Sequence, residues 1–341
     1  MTDIRSMNID ELTKYIVSLG QPKFRAKQVF LWLHKGISDF DEMVNVPKTL
    51  REQLKDEATL NVAECVRCQI SKLDGTRKYL LRFADGNCVE AVFMKYNHGN
   101  TVCISTQVGC RMGCVFCAST KNGLIRNLLP SEMLAELFAI IRDTGEKISN
   151  IVLMGTGEPL DNYDNVIRFL LLVNEEDGLN IGLRHISLST CGLCDKIEKL
   201  SKENLPITLS VSLHAPTDES RNAIMPVNRA YGVKRLVKEC KAYFAETSRR
   251  ISFEYTMIEG QTDGEANARD LVALLRGFPC HVNLIPLNKI TEGSLSPSSP
   301  EAISEFKGIL EKNGITATVR RSLGSDIDAA CGQLRQKFIS E

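Results

Sequence analysis

From residue 100 onward the chain alternates between short strand-like apolar runs and amphipathic stretches, and this rhythm restricts its fold more than any other feature. Candidate strands lie at 101–107, 149–154, 183–189, 207–213, 250–257, 280–285 and 315–320. Helical periodicity occupies 131–143, 163–174, 233–246, 264–276 and 299–312 between them. Strand, helix and strand in succession call for parallel pairing with a crossover helix, so residues 99–341 are expected to form a partial (β/α) barrel of the α/β class. No strand runs into a GxGxxG turn, which excludes a dinucleotide-binding Rossmann domain. The Ser- and Pro-rich stretch 291–300 reads as a mobile loop.

Two smaller regions precede the barrel. Residues 1–58 read as a helical module: Ile9, Leu12, Ile16 and Leu19 recur at helical spacing and stop at Gly20. A second run, 24–35, is apolar on one side and carries Lys23, Arg25, Lys27 and Lys35 on and beside the other; Pro47 opens a third, short helix. That basic side fits a solvated surface as well as an RNA contact. Residues 59–98 change to short alternating runs separated by Asp74-Gly75 and Asp85-Gly86, which are hairpin signals, so an antiparallel β extension is expected there.

Composition narrows the setting. A formal net charge of zero excludes a chain uniformly coated in basic groups, while leaving room for local basic patches. No apolar run reaches membrane-spanning length, and the first residues lack the basic-then-apolar order of a signal peptide. The expected location is the cytoplasm, where thiols stay reduced, so the 12 cysteines are not read as a disulfide framework.

Chemistry in a barrel of this kind sits at the carboxyl ends of its strands. The chain places its distinctive motifs there: Cys110, Cys114 and Cys117 after the first strand, Gly155-Thr156-Gly157-Glu158-Pro159 after the second, Ser189 at the third, Ser212-Leu213-His214 at the fourth, and Asn288 beyond Ile285. Three thiolates spaced CxxxCxxC can hold three irons of a [4Fe–4S] cluster and leave the fourth open, whereas most such clusters take four thiolates. Zinc sites favour CxxC pairs in sets of four ligands, and the triplet has no fourth cysteine nearby. With Phe116 before the third cysteine, the stretch resembles the radical S-adenosylmethionine (SAM) superfamily. Gly157 permits a tight turn and Glu158 can pair with the amino group of methionine. Ser189, Ser212 and Asn288 can bond ribose hydroxyls or a carboxylate, and His214 can stack on or bond adenosine.

Other cysteines divide by position. Cys65–Cys68 and Cys191–Cys194 are CxxC pairs in different regions and read as structural. Cys103 lies on the strand that leads into the triplet. Cys331 lies in GSDIDAACGQL near the chain end, where a tail is expected to fray and expose a reactive thiol.

The segments VCISTQVGCRMGCVFCAS, MGTGEPLDN, SLHAP, HVNLIPLN and GSDIDAACGQL occur in that order. Together they resemble the RlmN/Cfr family of radical-SAM RNA methyltransferases over nearly the whole chain. The resemblance implies a partial radical-SAM barrel and methylation of an adenine ring carbon in 23S rRNA: carbon 2 in RlmN-type members, some of which also modify the adenine 3′ of the tRNA anticodon, and carbon 8 in Cfr-type members. It implies two SAM per turnover, a flavodoxin-type electron donor, no membrane and a monomer. By the same resemblance Cys331 takes a methyl group from one SAM. A radical derived from a second SAM activates that methyl, and the resulting carbon joins the adenine. Cys103 then attacks the Cys331 sulfur, forming a transient disulfide bond and freeing the RNA, while Glu90 manages the ring proton. A radical suits this target, because carbon 2 lies between two ring nitrogens and is a poor nucleophile for a polar methyl donor. The wording is more RlmN-like than Cfr-like. Outside the family, an RNA-binding or electron-transfer iron–sulfur protein would account for the triplet but not for Cys103, Cys331 and Glu90 together.

Overall fold

The computed structural model describes residues 1–287, 295–321, 323–328 and 332–340. Its N-terminal part runs β1 (Thr2–Asp3), α1 (Ile9–Ser18), α2 (Phe24–His34), α3 (Lys48–Glu57) and β2 (Ala58–Thr59), with β1 and β2 paired in parallel. Asn8 opens α1 with a reciprocal capping box to Glu11. The apolar faces of these helices close on a core of their own, including Leu12, Ile16, Val29, Phe30, Leu50 and Leu54. Arg5 joins this module to the rest. It is fully buried, donates to the carbonyls of Ile37 and Asn61, and lies 5.1 Å over the Phe138 ring. Of the basic groups on α2, Lys27 pairs with Asp177 and Lys35 lies over the Trp32 ring, so part of that face is already engaged.

Next come the antiparallel strands β3 (Glu64–Ile70), β4 (Arg77–Arg82) and β5 (Cys88–Tyr96), which lead into β6 (Gly99–Cys103). A small ribbon follows, β7 (Gln107–Gly109) with β8 (Leu124–Asn127), and the cysteine triplet lies in the loop between them. The chain then alternates: α4 (Pro130–Thr144), β9 (Asn150–Leu153), α5 (Tyr163–Asn174), β10 (Ile186–Thr190), α6 (Cys194–Ser201), β11 (Thr208–Ser212), α7 (Asp218–Ile224), α8 (Asn228–Tyr231), α9 (Val233–Thr247), β12 (Ile251–Met257), α10 (Glu265–Leu275), β13 (Cys280–Pro286), α11 (Pro300–Lys312), β14 (Thr316–Val319) and α12 (Gln333–Ser340).

These strands form one ten-stranded sheet in the order β14-β13-β12-β11-β10-β9-β6-β5-β4-β3. From β6 to β14 all neighbours are parallel, and β6 and β14 do not pair, so the barrel is partial. The parallel strands carry Ile151, Leu153, Leu188, Leu209, Val211, Phe253, Val282 and Leu284, all buried between helices and barrel interior. The expected α/β partial barrel, helical N-terminal part and antiparallel extension are thus present. Of the loop expected at 291–300, residues 291–294 lie outside those described; Pro297 bridges Ile258, and Pro300 starts α11. No helix among the described residues is long and apolar enough to cross a membrane.

The C-terminal segment departs from expectation. Rather than fraying, it docks: Leu334 is fully buried against Leu80 and Cys88, with Phe338 beside them. An amphipathic turn here finds an apolar patch on the outer strands, which a reading of the tail alone does not reveal.

Candidate active site

A cavity of about 260 Å³ opens at the carboxyl ends of the parallel strands. Cys110, Cys114 and Cys117 line it, together with Gly157, Glu158, Ser189, Ser212 and His214. Residues from four separate strand ends therefore meet in one place, as parallel topology requires.

The triplet loop is held at both sides. Gln107 at its entry is fully buried; its Oε1 accepts from the Glu158 N–H (2.8 Å) and its Nε2 donates to Asp161 Oδ2 (3.0 Å). Arg111 also pairs with Asp161. The Val115 N–H donates to the Ile224 carbonyl, and Cys114 packs with Ile224 and Met225. Burial pushes the Cys110 and Cys114 thiols up to about 12. Only a strong electrophile such as a metal would hold them as thiolates at neutral pH. No three His, Cys, Asp or Glu side chains among the described residues converge on a single-ion site. A four-iron cluster makes a different demand, one thiolate per iron at separate corners, and three cysteines around one cavity suit it.

Glu158 supplies the anionic part of the site. Its Oε1 accepts from the Leu160 N–H (3.0 Å) and its Oε2 from the Cys191 N–H (2.7 Å). Burial still raises its carboxyl above the usual range, because no cation accompanies it. An ammonium group entering the cavity would relieve that. Gly157 is required beside it: at φ +110°, an added Cβ would lie 2.7 Å from the Gln107 Cβ. Thr156 is buried and does not line the cavity, and its N–H donates to Ser105 Oγ (3.0 Å).

His214 adopts φ +58° and is buried. Its Nδ1 accepts from the Thr256 N–H (3.1 Å), and its ring meets Phe116 edge-on at 4.8 Å. Burial, helped by Arg221, lowers its pKa to about 3, so the ring is neutral, and with Nδ1 accepting, its Nε2–H remains a donor. Leu213 does not line the cavity; it lies beneath, its N–H bonded to the Glu254 carbonyl. Cys103 ends β6 one layer behind the cavity, packed with Val92, Met94 and Met154, of which Met154 reaches the lining. Glu90 lies outside the cavity and is buried: Oε2 meets Lys78 Nζ (2.7 Å) and the Gly332 N–H (2.6 Å), and Oε1 the Arg335 N–H (2.7 Å). Asn288 and Cys331 lie outside the described residues, but their neighbours Leu287 and Gln333 line the cavity. Cys65, Cys68, Cys88, Cys110, Cys114, Cys191, Cys194, Cys240 and Cys280 are free thiols.

A profile of the Radical SAM superfamily matches residues 104–272, and one of the ribosomal RNA large subunit methyltransferase N-terminal domain matches residues 2–60. The chain is 52% identical to the probable dual-specificity RNA methyltransferase RlmN of Lachnospira eligens, across 100% of this chain and 98% of that one. It is 49% identical to the corresponding protein of Clostridium tetani, across 99% and 97%. The chain belongs to the RlmN-type family of radical-SAM methyltransferases. The crystal structure of a radical SAM methyltransferase from Sphaerobacter thermophilus superposes with a TM-score of 0.94 at 43% identity, covering 98% of this chain and 99% of that one.

Membership of this family implies SAM and an iron–sulfur cluster, and the cavity's thiols and buried carboxylate match that donor set. Sequence reasoning missed Arg221. Its guanidinium is fully buried and donates to the carbonyls of Cys191 (2.6 Å), Ser212 (3.0 Å) and Leu213 (2.9 Å) and to Asn228 Oδ1 (2.9 Å). It thus ties the ends of β10 and β11 together beneath the cavity. Glu254 was missed as well: a lining carboxylate raised by burial and bonded by Asn283 Nδ2 (2.8 Å). Its alternating inward position on β12 was the available signal.

Proposed function

We propose that this enzyme methylates carbon 2 of an adenine in 23S rRNA and of the adenine 3′ of the anticodon in tRNA, through S-methylated Cys331. One observation carries the reading: the cluster triplet, Glu158 and the first turn of the C-terminal helix, at Gln333, share one cavity. When bound, a [4Fe–4S] cluster with SAM supplies a one-electron route to a carbon radical.

The chain's own residues do the rest. Cys110, Cys114 and Cys117 would hold that cluster through their three thiolates. Glu158 takes the SAM ammonium; Gly157 lets that backbone approach, and Ser189, Ser212, His214 and Asn288 shape the nucleoside site, with Leu213 supporting them from beneath. The Cys331 thiolate attacks the methyl carbon of SAM, the carbon–sulfonium bond breaks and S-adenosylhomocysteine leaves; the stoichiometry is two SAM per turnover. Once the methyl carbon is bonded to adenine and the ring has given up its proton and one electron, Cys103 attacks the Cys331 sulfur. The sulfur–carbon bond breaks, its electron pair stays on carbon, and a proton completes the methyl group. The target adenine must be unstacked to reach a cavity at this depth. A flavodoxin-type donor as reductant, a cytoplasmic setting, a monomeric state and the basic side of the helical module as an RNA contact complete the proposal.

Replacing Cys103 by Ala is expected to leave RNA bonded to the protein through Cys331, seen as a shifted band and mapped by peptide mass spectrometry. Free turnover by that variant would remove the resolving role of Cys103.

A further inference from the structure

We propose that the antiparallel extension is a two-sided clamp for the C-terminal segment, with Glu90 its central positioning residue. The inference rests on the reading of Cys331 as the methyl-carrying residue. Two stretches of chain flank residues 329–331, and both are bonded to β3–β5 or to the turn between β3 and β4. On the upstream side, the Gly324 N–H donates to Asp74 Oδ2 (2.8 Å). Asp326 accepts from Ser71 Oγ (2.6 Å) and the Lys72 N–H (2.8 Å). Asp328 and Gln69 bond reciprocally, at 3.0 and 2.9 Å.

On the downstream side, Glu90 caps the start of α12 by accepting from Gly332 and Arg335. A carboxylate at a helix N-terminus satisfies N–H groups that have no partner within the helix. Lys78 completes the carboxylate's set, and both side chains of this pair are nearly inaccessible. Burying an ion pair is expensive unless its geometry fixes something else. Here it fixes the first turn of α12 against the cluster loop. Gln336 Nε2 donates to the Ala118 carbonyl (3.1 Å), and Gly332 sits so close that a Cβ would lie 2.8 Å from the Ser119 nitrogen.

Register links the clamp to the other chemical residue. Leu80 pairs with Glu90, and Val92 pairs with Cys103, across neighbouring antiparallel strands. Directly paired residues point to the same face, and so do residues two apart. Glu90, Val92 and Cys103 therefore share one face of the sheet, and Leu323 packs against the cluster of Val92, Met94 and Cys103 there. The extension thus presents the tail to the thiol that must later attack it. With both oxygens engaged and no place in the cavity lining, Glu90 acts through the tail rather than on the adenine ring.

Timing separates this role from proton transfer, because methylation of Cys331 precedes any contact with adenine. In Glu90→Gln reconstituted enzyme, hydrogen exchange of the 332–340 peptide is expected to accelerate about tenfold or more, the loss of one charge-assisted bond, with other peptides unchanged. Methylation of Cys331 by SAM without RNA, read by peptide mass, should slow by a similar factor. Gln69→Ala, which loosens only the upstream side, should move both readouts in the same direction by less, and serves if Glu90→Gln fails to fold. Wild-type exchange and wild-type Cys331 methylation in both variants would overturn the clamp. If wild-type enzyme never methylates Cys331, the functional reading fails instead, and tail exchange still decides the clamp.

Discussion

Arg221→Met offers a quantitative check on how the site is built. The substitution keeps an unbranched side chain of similar length and removes four donated bonds, to Cys191 O, Ser212 O, Leu213 O and Asn228 Oδ1. At about 1 kcal/mol net for each bond, the loss is about 4 kcal/mol. Relief from burying a cation returns about 1 kcal/mol. The expected net destabilisation is about 3 kcal/mol, or a fall of about 4 °C in Tm for a chain of this size. The effect should reach the cavity, because the Cys191 carbonyl holds Arg221 while the Cys191 N–H holds Glu158. SAM affinity should therefore drop at temperatures where the variant remains folded. Thermal melting by circular dichroism and equilibrium binding of SAM measure the two parts. A Tm within about 2 °C of wild type would show that the three carbonyls find other donors, and the argument would fail.

Glu158→Gln removes the negative charge from the cavity while keeping its shape, and SAM binding to reconstituted enzyme should weaken by about 2 kcal/mol or more; unchanged affinity would take Glu158 out of contact with the ligand. Glu136 gives a pH test. Burial raises its carboxyl well above the usual range, against the opposing Ser105 N–H. Its folded-state pKa is above the unfolded one, so its contribution to stability is fully present below the unfolded pKa of about 4.5 and is lost as pH rises. Glu136→Gln should therefore gain on wild type as pH rises, by up to about 1.4 kcal/mol per pH unit in urea titrations between pH 5 and 8. A difference independent of pH would mean that Glu136 does not titrate within that window.

Local pattern made the barrel legible. Every expected strand from 101 to 320 overlaps an observed one, because buried parallel strands such as Asn150–Leu153 and Thr208–Ser212 are short apolar runs between helices. The rim motifs followed from topology, since side chains at the carboxyl ends of parallel strands must converge. Long-range partners were not legible. Arg221 lies on a helix reading DESRNAI and looks like a surface charge until the carbonyls of three other residues close around it. Glu90 looks like a polar strand residue; only the fold brings Lys78 and a helix 242 residues away in sequence to its carboxylate. The docked tail was hidden for the same reason, because the buried partners of Leu334, Leu80 and Cys88, lie on strands far from it in sequence. Leu213 was expected at the ligand but is absent from the cavity lining that holds Ser212 and His214, because alternate residues at a strand end point to opposite sides.

Mass mapping of the modified nucleoside tests the central claim most directly. Reconstituted enzyme, SAM, a one-electron reductant and 23S rRNA or tRNA lacking the modification are incubated anaerobically, and the RNA is digested to nucleosides. The proposed function requires 2-methyladenosine at a single adenine, abolished by Cys331→Ala. Finding 8-methyladenosine instead, or methylation that persists without Cys331, would contradict it.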